Sequence, residues 1–101
     1  MNLTNLFEKY NSLYFDNKLP KIEVIVENLS DTEVVGYFDP DDNLIGLSDE
    51  LGEVELNSTL LHEMTHLWDF GVRGFTNHDN VWQTKAKEIE QKTNLKLIHL
   101  I

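Results

Sequence analysis

The 101 residues include no cysteine, which removes disulfides, thiolate zinc ribbons and thiol nucleophiles by inspection. Basic side chains are scarce: eight Lys and Arg stand against eighteen Asp and Glu, a formal charge of -10. Such a chain repels a phosphate backbone, so direct nucleic-acid binding is not expected. The one modest basic cluster, Lys85 to Lys96, also carries Glu88 and Glu90, and pairing on a solvated helix face accounts for it. No apolar run approaches the roughly 20 residues that cross a bilayer, and the opening MNLTNLFEKY lacks a basic flank. A cytoplasmic location is the expectation. Repeats, low-complexity stretches and linkers are also missing.

What is present suits one folded unit spanning residues 1–101. Hydrophobic residues make up 41% and charged residues 26%, far from the low-hydrophobicity signature of disorder. Leu3, Leu6, Phe7, Tyr10, Leu13 and Tyr14 recur at helical spacing, predicting an amphipathic first helix that Asp16-Asn17 and Pro20 stop. Ile22, Val24 and Val26 alternate with their neighbours and predict a strand. Val34 to Phe38 and Leu44 to Leu47 are two more, joined by the turn Asp39-Pro40-Asp41-Asp42-Asn43. That turn lacks the spacing and closing Glu of a calcium loop and reads as a hairpin. Short links predict a three-stranded antiparallel meander.

Helical periodicity returns with Leu56, Leu60, Met64, Leu67 and Trp68, in a helix predicted to start near Val54 to Asn57. Phe70 to Asn77, with Gly71 and Gly74, reads as a loop. Thr76 and Asp79 resemble a capping box that opens a last helix reaching about Thr93, with Val81, Trp82, Ala86 and Ile89 on its apolar side. The tail LKLIHLI is too apolar to float and is either a short strand or a docked end. The fold class is α+β: helix, three strands, helix, helix.

Inside the central helix lies His62-Glu63-Met64-Thr65-His66, the HExxH pattern. Four residues advance a helix by about 400 degrees, so both histidines leave nearly the same face and can reach one tetrahedral zinc. Glu63 lies about 100 degrees around from His62, placed to handle a metal-bound water as general base. The competing reading makes both histidines polar surface or satisfied core residues. The apolar stripe Leu60, Met64, Leu67 argues against it, because the core is supplied without them. A hydrolytic zinc site needs a third protein ligand and an open fourth position. Of four histidines, His99 sits near the terminus, which leaves His78 as the leading candidate. Asp69, Asp79 and Glu88 are alternatives, with Asp69 better suited to orient a ligating imidazole. Trp68, Trp82, Tyr10 and Tyr14 read as helix-to-helix core contacts, and Arg73 and Lys85 as solvated charges.

Three segments in order, LFEKYNSLYFDNKLP, TLLHEMTHLWD and HDNVW, resemble the SprT-like zinc metallopeptidase family, which includes Spartan-type DNA-protein crosslink proteases. The resemblance covers almost the whole chain. It implies a minimal zincin-like fold, one catalytic Zn²⁺, His62, His66 and His78 as ligands, and Trp82 as the aromatic packed behind the third histidine. Asp79 stands where the family usually has glycine, and the zinc ribbon and basic appendages of some relatives have no counterpart here. A stand-alone minimal domain of the kind that bacteria or their phages encode fits this pattern.

The expected activity is that of a zinc-dependent endopeptidase acting on a protein or peptide, with Glu63 as general base and the chain acting as a monomer. Two other readings stay open: an acidic protein-binding module that kept the fold, and a zinc amidohydrolase for a small substrate. A second oxyanion donor is not apparent in the sequence.

Overall fold

Asn2 opens the first helix, its side chain accepting from the Asn5 N–H at 3.1 Å, which satisfies one of the donors a helix start leaves free. The computed structural model describes residues 2–98. Along them run α1 (Leu3–Tyr14), β1 (Glu23–Glu27), β2 (Gly36–Asp39), β3 (Leu44–Ser48), α2 (Glu53–Arg73) and α3 (Asn80–Thr93). The α+β class and the element order are those expected. After α1 the chain reverses through Asp16 and Asn17, both left-handed at φ 54 and 58. The buried Asn11 amide pins that turn, donating to the Leu19 carbonyl and accepting from the Leu19 N–H.

The sheet departs from the expected meander. Its order is β1-β3-β2, with β1 parallel to β3 and β2 antiparallel to β3. Apolar content decides which strand is central. Ile45 and Leu47 of β3 are fully buried, whereas Glu23, Glu27 and Asp39 put charge on β1 and β2, where an edge tolerates it. The link after β1 therefore steps over the place that β3 later fills. The Asp39 to Asn43 turn is the hairpin expected: the Asp39 carboxylate accepts from the Asp41 and Asp42 N–H groups.

Helix α2 is longer at both ends than the sequence implies. It starts at Glu53, with Glu53 and Glu55 in its first turn, where negative charge suits the helix dipole. It runs through Gly71 and ends at Gly74, whose φ of 77 and bond to the Phe70 carbonyl close it. A mid-helix glycine costs about 1 kcal/mol, too little to break a helix buried continuously from Ser58 to Leu67. Gly36 brings β2 onto this helix. A Cβ there would meet the Thr59 methyl at 2.6 Å.

Asp79, not Thr76, caps α3, accepting from the Val81 N–H at 3.1 Å. Thr76 is drawn away by tertiary partners described below. Trp82, Ala86 and Ile89 bury against Leu60, Leu61 and Met64 in the shared core. The tail is a docked end as far as it is described: Leu97 is fully buried, and Glu90 Oε2 accepts from the Leu97 and Ile98 N–H groups. Residues 99–101, His99 among them, lie outside the described residues. Among the described residues no helix is long and apolar enough to cross a membrane.

Candidate metal centre

Histidines at positions 62 and 66 of α2 are buried, 4% and 9% exposed, so they are not surface residues of an amphipathic helix. The loop after α2 returns His78 to them. It stands one residue before the α3 cap instead of in that helix's first turn. The three rings form a cluster, with centroids 5.0 Å apart for 62 and 66, 5.4 Å for 62 and 78, and 4.7 Å for 66 and 78. One ligand nitrogen from each lies within 4.8 Å of the others. Trp82 forms the wall behind all three, its ring 4.7 to 5.0 Å from each imidazole. This is the place the family resemblance implied for it.

Hydrogen bonds settle which nitrogens face inward. His62 Nδ1 lies 2.9 Å from the Leu97 carbonyl; a carbonyl only accepts, so Nδ1 carries the proton and Nε2 is bare. His66 Nδ1 lies 2.7 Å from Thr76 Oγ1, and Thr76 in turn donates to Asp69 at 2.8 Å. Thr76 has one proton and spends it on the carboxylate, so it accepts from His66 Nδ1–H. His66 Nε2 is therefore bare as well. It lies 3.0 Å from His78 Nε2. Two zinc–nitrogen bonds of about 2.0–2.1 Å at a tetrahedral angle separate their nitrogens by about 3.3 Å. With its proton moved from Nε2 to Nδ1, His78 offers a third neutral imidazole nitrogen, and the set suits a divalent ion of the zinc type.

Asp69 holds this arrangement from beneath. It is fully buried and grips Arg73 through two bonds of 2.6 and 2.7 Å. Arg73 also reaches Asp79 at 2.8 Å, so it is a clamp between the end of α2 and the start of α3, not a solvated charge. Burial pushes the Asp69 carboxyl up, but Arg73, Thr76 and the Asn77 backbone outweigh it and hold it below its usual value. The sequence reading placed Asp69 in an orienting role; the structure interposes Thr76. Asp79 and Glu88 are engaged elsewhere, with Arg73 and Lys85, while Lys85 also lies over the Phe15 and Trp68 rings.

Burial dominates the protonation of the cluster. It lowers His62 to about 4, opposed by the Leu97 hydrogen bond and aided by His78. His66 is lowered to about 3 by burial and then by the two neighbouring imidazoles, against Asp69. Both rings stay neutral, the form that ligates. Glu63, 7% exposed, is pushed up to about 8 by burial. Thr76 and the Leu97 carbonyl are the participants that sequence reasoning missed. The i,i+4 spacing of Asp69 and Arg73 was the one local signal for the clamp.

The sequence matches the SprT-like family over residues 3–99. No curated protein matches the chain. The crystal structure of the metallopeptidase zymogen of Pyrococcus abyssi abylysin shares the fold, with a TM-score of 0.64 over 96% of this chain and 100% of that one, at 18% identity.

Proposed function

The chain belongs to the SprT-like family, and from that premise we propose that it is a zinc-dependent endopeptidase with His62, His66 and His78 as ligands and Glu63 as general base. The observation that carries the reading is the convergence of three imidazoles on one point, with Glu63 on the same buried helix. When bound, a divalent ion such as zinc supplies Lewis-acid polarisation of water and carbonyl, and a positive charge that favours the Glu63 carboxylate. Glu63 takes a proton from the attacking water and returns it to the leaving amine. Its burial raises its affinity for that proton, which helps the first transfer. His62 and His66 are held in one tautomer throughout by Leu97 and by Thr76 with Asp69. Trp82 keeps water off the rear of the cluster.

The substrate is a protein segment in extended form. Among the described residues β2 pairs with β3 alone, and Gly36 seats it directly on α2. A peptide added to the other edge of β2 gains backbone hydrogen bonds with little demand on side-chain identity. The charge of -10 favours basic segments and disfavours nucleic acid.

Elemental analysis of the purified chain and of His78→Ala, each assayed on an unfolded protein, tests the assignment. One zinc per chain, weakened by the substitution and accompanied by cleavage, is the expected result. A folded chain that takes up no zinc overturns it. Zinc without cleavage of any polypeptide favours the small-amide hydrolase.

A further inference from the structure

Glu90 lies on α3, outside the cluster of imidazoles, yet its carboxylate ends two bonds away from one of them. A single oxygen, Oε2, accepts from the Leu97 N–H at 2.7 Å and the Ile98 N–H at 3.0 Å. The Ile98 N–H and the Leu97 carbonyl belong to the same peptide unit. That unit is planar and trans, so its N–H and C=O point in opposite directions. Fixing the N–H on Glu90 aims the carbonyl the other way, and there it meets His62 Nδ1 at 2.9 Å.

From this geometry we infer that Glu90 is a positioning residue of the metal centre: through one peptide plane it sets the ring orientation and tautomer of His62. The inference rests on the proposed metal site and adds an outer partner to it. His66 has a side-chain partner in Thr76, whereas among the described residues the Nδ1 partner of His62 is this backbone carbonyl, so the tail after α3 completes the centre. The coupling is reciprocal. An ion that fixes His62 also tightens the docked tail.

The test compares the full chain with Glu90→Ala and Glu90→Gln. Zinc affinity is read by competition with a chelator, and ring N–H exchange of His62 and His66 by nuclear magnetic resonance. Glu90→Ala is expected to weaken zinc by about 10- to 100-fold, the range for loss of an outer partner. It should speed exchange at His62 Nδ1–H and leave His66 Nδ1–H slow. Glu90→Gln keeps an oxygen that can accept both amides and should stay near wild type. Unchanged zinc affinity in Glu90→Ala overturns the inference while leaving the metal site intact. Equal acceleration at both histidines overturns it too, since that is general loosening. A wild-type chain that binds no zinc overturns the metal site and this inference together. If Glu90→Ala fails to fold, wild-type amide exchange decides: zinc should slow the Leu97 and Ile98 amides relative to the Lys18 amide in the turn after α1, and no such difference overturns it.

Discussion

The Thr76 hydroxyl has one proton, and because it goes to Asp69, His66 must present its Nε2 lone pair to the cluster. Thr76→Val keeps the shape of the side chain and removes the atom that joins His66 to Asp69. Zinc affinity should fall by about 10- to 100-fold, and Thr76→Ser should retain it; chelator competition measures both. Glu63 gives a pH signature in the metal-free chain. Its folded value is raised to about 8 from 4.5, so the stability it contributes is present below 4.5 and is lost as pH rises toward 8. His62 and His66 are lowered from 6.5 to about 4 and about 3, so their contribution is present above 6.5 and is lost as pH falls. Between pH 6.5 and 8 Glu63 is the member of the site that titrates. Denaturant titration of chelator-treated protein should show stability falling over that window, and Glu63→Gln should abolish the fall.

At the scale of elements, β2 depends on its closeness to α2. Gly36→Ala would force its Cβ against the Thr59 methyl and should cost about 1–3 kcal/mol, the usual range for overpacking. Thr59→Ser removes that methyl, so the double variant should regain part of the loss in denaturant unfolding. The three helices were legible in the sequence because Leu and aromatic residues recur at 3.6-residue spacing and each packs against the one core. HExxH and His78 were legible because few histidines exist and helical spacing fixes the first two. The strand order was not, since it depends on which strand finds cover on both edges, and local alternation is the same either way. Thr76 read as a cap because Thr-x-x-Asp is a local pattern, while its actual partners, His66 and Asp69, come from another helix. The Glu90, Leu97 and His62 contacts run through backbone groups, which every residue has and no sequence pattern marks.

For the molecule as a whole, 101 residues bury a core with little stability in reserve, so a bound ion should matter to folding as well as to chemistry. At a free zinc concentration of about 100 times Kd the gain is about 2.7 kcal/mol, a rise on the order of 10 °C in Tm for a domain of this size. Calorimetry with and without zinc should show that rise in the wild type and much less of it in His78→Ala. The acidic surface acts at longer range. Cleavage of a lysine-rich unfolded peptide should exceed that of a glutamate-rich one, and the ratio should shrink as salt screens the field. The most direct test of the central claim is hydrolysis of an unfolded protein by the zinc-loaded wild type beside zinc-loaded Glu63→Gln. One zinc in each, with cleavage in the wild type reduced by about 10²- to 10⁴-fold in the variant, is the predicted result. Equal rates in the two, or no cleavage by either, would contradict it.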